Sequence, residues 1–91
     1  MSATLTNNVS ESCYELDLGD AIAVADYVHD DNVLQINHVG VPRSHQNQGI
    51  ASRLMHDMLA DVRRHGLKIR PVCGFAKAYF RRHPEEGDLL A

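Results

Sequence analysis

At 91 residues the chain is long enough to bury one core and too short for two, so a single domain is expected. The formal net charge is only -3, with no basic block, two Phe, three Tyr and no Trp, a balance that argues against a nucleic-acid binder. The longest unbroken apolar run, residues 21–25, is far below the roughly 20 residues of a membrane span, and the polar opening "MSATLTNNVSES" lacks the apolar stretch of an export signal, so a cytoplasmic protein is expected.

Residues 1–11 are rich in Ser, Thr and Asn with little to bury, which predicts a flexible tail, followed by one domain over residues 12–91. From Cys13 onward, "CYELDLGDAIAVADYVHDDNVLQINHVGVP" alternates apolar and polar residues in three runs. The turn formers Gly19-Asp20 and residues 29–32 interrupt them. An antiparallel three-strand meander over residues 13–18, 22–29 and 33–41 is therefore predicted. Gly40, near the end of the third strand, would mark a bulge or a close approach to the backbone.

The period then changes. Ile50, Leu54, Met58 and Val62 fall four apart, widened by Ala51, Met55 and Leu59, so a helix spans residues 50–65, with Gly66 placed as its cap glycine. "LKIRPVC" reads as a fourth strand that Pro71 confines to an edge or to its own end. "FAKAYFRRH" sets Phe75, Ala76, Tyr79 and Phe80 at helical spacing, and Pro84 stops it. The class is α/β, of the α+β kind, in the order βββαβα.

Cys13 and Cys73 lie far apart and neither belongs to a C-x-x-C pair, so free thiols are expected. Six histidines without ligand spacing predict no metal site. In "QNQGIASRL", residues 46–54, a polar turn with Gly49 meets a helix N-terminus. The first N–H groups of a helix lack intrahelical acceptors and carry partial positive charge. Such a turn either is capped by polar groups and water or holds a phosphate.

The run "VPRSHQNQGIASRL" resembles the acetyl-CoA loop of the Gcn5-related N-acetyltransferase (GNAT) superfamily, a Gln or Arg, two residues, Gly, one residue, then Gly or Ala. Gln46, Gly49 and Ala51 match it. Together with His38, Val41-Pro42 and the Pro-x-Cys of residues 71–73, nearly all of the expected domain is similar to the small single-domain YjdJ-type branch. Branch members commonly carry Arg-Gly where this chain has Gln46-Asn47, which removes a charge from the phosphate site. Asn tolerates left-handed backbone angles, so the loop can keep its shape.

The resemblance implies acetyl-CoA as cosubstrate. Its pyrophosphate would lie on Gln46, Asn47, Gln48, Gly49, Ile50 and Ala51, and its pantetheine arm and carbonyl along the backbone of Val39, Gly40 and Val41. It places Cys73 near the acetyl group, as nucleophile or as acid or base, and makes His38 a second catalytic candidate. From the residues alone, a small buried hydrophobe and a sheet-bonded histidine are the plain alternatives. Tyr79 stands one place early for the superfamily's thiolate-protonating Tyr, and a core aromatic is the better reading. Relatives of full length carry helices between their first two strands, for which the short turn at residues 18–21 leaves no room, so the acceptor side must be open. That suits an acetyltransferase acting on a small amine or on a protein or peptide amine, as a monomer or weak dimer. It equally suits a non-catalytic CoA-binding or protein-interaction module. A third alternative, a small structural domain, leaves the Pro-x-Cys without a role.

Overall fold

Alternation dictates one apolar face for each strand, and a computed structural model, which describes residues 4–91, stacks those faces side by side. The strands are β1 (Thr4–Asn8), β2 (Cys13–Asp17), β3 (Ile22–Asp30), β4 (Val33–Gly40) and β5 (Lys68–Pro71), hydrogen-bonded in that order. The first four are antiparallel, and β5 runs parallel to β4. A parallel neighbour requires a crossover, supplied by helix α1 (Ile50–Arg64); helix α2 (Gly74–Arg82) follows β5.

Tyr14, Leu16, Ala23, Ala25, Leu34 and Ile36 on one face of the sheet, Leu54, Met55, Met58, Leu59 and Val62 of α1, and Ala76, Tyr79 and Phe80 of α2 form one core. The opposite face stays outside this cluster: Cys13 there is buried locally, while Ile22 and Val28 are 49% and 51% exposed. α1 ends as the cap glycine requires. Gly66 takes a φ of 68°, its N–H donates to the Arg63 carbonyl, and the Leu67 N–H reaches back to Val62 at 3.1 Å. Pro71 closes β5, as its missing donor demands.

One expectation is overturned. The segment assigned to a flexible tail contains β1 and a 3-10 helix, Val9–Glu11; residues 1–3 of that assignment lie outside the described residues. The meander thus gains an edge strand, because β2 would otherwise leave one side of its backbone unpaired. Leu5 packs against the core, and the Tyr27 hydroxyl donates to Asn7 Oδ1 at 2.6 Å.

A polar knot closes the far end of α1. The Tyr14 hydroxyl donates to Asp61 Oδ2 at 2.6 Å, and Arg64 donates to the other carboxylate oxygen. Burial, then the hydrogen bond to Asp61, raises the Tyr14 hydroxyl well above its ordinary value. Burial pushes the Asp61 carboxyl up, but the bonds from Tyr14 and Arg64 and the nearby charges of His65 and Arg64 outweigh it, so Asp61 titrates below its ordinary value.

A carboxyl whose pKa falls on folding stabilises the native state above its unfolded value, and that contribution disappears as pH drops through the folded one. Denaturant melts should therefore lose an Asp61-dependent component on acidification below the ordinary 3.8, and Asp61→Asn should lack it. Met58, with no exposed surface, gives an independent check of the core. Met58→Ala is expected to cost about 2–5 kcal/mol, read as a lower denaturation midpoint.

Candidate functional site

The site begins with an extra residue in β4. Asp26 pairs with His38 but Tyr27 pairs with Ile36, so Asn37 is bulged out of the ladder. A side-chain period of two makes one added residue reverse every face beyond it. Leu34 and Ile36 point to the core before the bulge, and Val39 and Val41 pack against it afterwards. His38 and Gly40 turn to the uncovered face instead. There His38 Nδ1 lies 3.3 Å from Asp26 Oδ2, with its side chain 64% exposed. The bulge is three residues earlier than the glycine. Gly40 answers to the other expectation, a close approach, since a Cβ there would stand 2.8 Å from His38 Cε1.

At the same point β4 and β5 part. Their pairing stops at Ile36 with Pro71, and the Ile36 carbonyl accepts the N–H groups of both Val72 and Cys73, at 3.0 and 3.1 Å. Among the described residues no strand pairs with that side of β4 farther on, which leaves the backbone of residues 38–40 open toward α2. Cys73 is a partly buried free thiol and the N-cap of α2, its Sγ accepting the Ala76 N–H at 3.4 Å.

Beyond β4 the chain makes a 3-10 turn, Arg43–His45, and then the loop into α1. The Gln46 side-chain amide donates to the Val41 carbonyl at 3.2 Å and ties the loop to the strand end. Asn47 and Gly49 both take left-handed angles, φ 64° and 76°. Among the described residues no side chain caps α1, so the N–H groups of its first turn are free to receive an anion. A Cβ built on Gly49 would meet nothing within 4 Å.

These pieces line a cavity of about 300 Å³ whose walls include Gln46, Asn47, Gly49, Ile50, Ala51 and Val41. Of the candidates named from the sequence, Gln48, Val39, Gly40, Cys73 and His38 do not line it. Cys73 stands two residues before Phe75, which does, and His38 faces the other side of the sheet. Tyr79 is a core residue, 2% exposed and stacked on His83.

Sequence reasoning missed three contributors. Phe75, at an apolar position of α2, lines the cavity. His45 lines it too, fastened by Asp20 at 3.1 Å and Ser44 at 2.8 Å, so the β2–β3 turn braces the loop. Its adjacency to the loop was a usable signal. Asp26, the partner of His38, had none, because the pairing depends on the bulge.

The donor set fits a diphosphate: uncapped N–H groups, a loop in left-handed angles, and open space where a side chain would otherwise project. No group of three His, Cys, Asp or Glu among the described residues is placed to hold a metal ion. Comparison with known proteins adds the family. A family model described as GCN5-related N-acetyl-transferase matches residues 13–89. A GCN5-like protein from Staphylococcus aureus, solved by NMR in solution, has a similar fold at TM-score 0.73 and 25% identity, over 97% of this chain and 87% of that one. No curated protein is significantly similar.

Gly40→Ala should leave the fold intact but displace the His38 ring from Asp26, seen as shifted imidazole resonances by NMR. Gly49→Ala meets no clash, so its cost is the left-handed backbone alone, about 1–2 kcal/mol in a denaturant melt.

Proposed function

The chain belongs to the GCN5-related N-acetyltransferase family, and on that premise we propose that it transfers the acetyl group of acetyl-CoA to an amine. The observation that carries this reading is the uncapped α1 N-terminus opening into a cavity lined by the loop, by Val41 just beyond β4 and by Phe75 of α2. Gln46, Asn47, Gly49, Ile50 and Ala51 cradle the pyrophosphate, with Gln48 on the outer side of the same loop. Positive ends of peptide dipoles replace the arginine that the loop lacks.

Val39, Gly40 and Val41 supply backbone groups for the pantetheine arm and the thioester carbonyl. A backbone N–H aimed at that oxygen stabilises the charge it gains as the amine adds. The amine must be neutral to attack, so a base has to take its proton. His38 is assigned that role, with Asp26 on Nδ1 orienting the ring and leaving Nε2 for the acceptor. The tetrahedral centre then expels the CoA thiolate, which takes up a proton.

Cys73 stands at the acetyl end, where the Ala76 N–H is directed at its sulfur. Two routes use it differently. As nucleophile it takes the acetyl group and releases CoA before the amine arrives, and as acid it protonates the departing thiolate. The uncovered sheet face favours a second reading as well, a module that binds CoA and leaves chemistry to a partner.

One set of measurements separates these. Calorimetry should show CoA and acetyl-CoA binding that Gly49→Val abolishes, since a β-branched residue does not tolerate such a φ. His38→Gln should keep binding and lower kcat/KM about a hundredfold or more. Intact mass after acetyl-CoA should rise by about 42 Da in the parent but not in Cys73→Ala if the thiol is acylated. Binding with no transfer to any amine leaves the module.

A further inference from the structure

The uncovered face of the sheet is not neutral. Of the chain's twelve carboxylates, seven precede Arg43, and no lysine or arginine does; the remaining five share the rest of the chain with all nine cations. Register places Glu15 and Asp17 of β2 and Asp26 and Asp30 of β3 on this face, because directly opposed residues of an antiparallel pair point the same way. The face's own cations, Lys68 and Arg70, sit on β5 at the opposite edge from β1. The negative field is local as well as formal. Burial raises the Cys13 thiol, and Glu15, Asp26 and Glu11 all act on it in the same direction.

We propose that this face docks a lysine-rich peptide segment in extended form, delivering a lysine amine to the acetyl site through the gap between β4 and β5 beside His38. The catalytic half of this inference rests on the transferase reading above, while docking stands without it. Two features favour a peptide over a small amine. No described element walls the face, so nothing encloses a small molecule and affinity has to come from many shallow contacts. Along β3 the same face reads Ile22, Val24, Asp26, Val28 and Asp30, apolar and acidic in turn from Val24 onward, with neighbours about 6.7 Å apart. An extended peptide repeats its side chains at that spacing, and lysine stems would lie on Val28 while their ammonium groups meet Asp26 and Asp30. Attraction to this field would also orient the encounter, leaving the cationic half of the chain to the anionic cosubstrate.

The test uses the full chain and a fluorescent peptide of alternating Gly and Lys, with binding read by anisotropy. The combined Glu15→Gln, Asp17→Asn and Asp30→Asn variant neutralises the face without touching His38 or Asp26, and amide oxygens remain for the Gly19 N–H that Asp17 accepts. Affinity should fall about tenfold in this variant and fall with added salt in the parent. Circular dichroism and CoA binding should be unchanged, and Glu85→Gln, at an exposed carboxylate in the cationic half, should have no effect. If the parent transfers acetyl groups, KM for the peptide should rise in the triple variant while kcat and KM for a monoamine stay put. Equal peptide affinity in the parent and the triple variant would overturn the proposal, as would spermidine binding as tightly as the peptide. Peptide binding without acetyl transfer would overturn the transferase reading and leave docking in place.

Discussion

The Ile36 carbonyl accepts two N–H groups, from Val72 and Cys73, and the site depends on that shared acceptor. A parallel ladder continues only while each strand offers a fresh donor and acceptor per step. Here β5 turns away into α2 immediately after using one acceptor twice, so β4 goes on alone. Its bulge at Asn37 lies at the same level. Without the extra residue His38 would face the core and Val39 the outside, and no imidazole would stand beside the opening. Two local departures from regular sheet thus leave unpaired backbone along one edge of β4 and aim the His38 ring out of the sheet's uncovered face.

That arrangement separates the chemistry into two sides of one sheet. The cavity at the α1 N-terminus lies on the core side, where Val41, Ile50 and Phe75 of its lining pack against the core. The ring of His38, its partner Asp26 and the run of carboxylates along β3 lie on the other. Separation of charge along the chain follows the same division, because the meander comes first in sequence and the crossover helix second. An anion and a cation can therefore approach from different directions without competing for one surface.

Much of the architecture was legible because it rests on local periodicity. Leu16, Ala25 and Ile36 alternate, Met58 and Val62 repeat at helical spacing, and Gly66 stands where only a left-handed cap fits, so strands, helices and most of the core were readable from neighbours alone. β1 was not, because Leu5 is its one apolar side chain and its pairing is backbone chemistry supplied by β2. Asn47, by contrast, was readable as a residue tolerant of left-handed angles, and takes one.

By itself the sequence determined which residues are apolar together, where the helices stop, and that a polar turn with a glycine opens α1. Those are properties of short windows, in which side-chain size and backbone angles decide. Only the tertiary structure decided that Asp26 meets His38, that Asp20 braces His45, and that Phe75 lines the same cavity as the loop. Each joins segments far apart in the chain, and whether they meet depends on strand register and on one bulged residue, which no local pattern encodes.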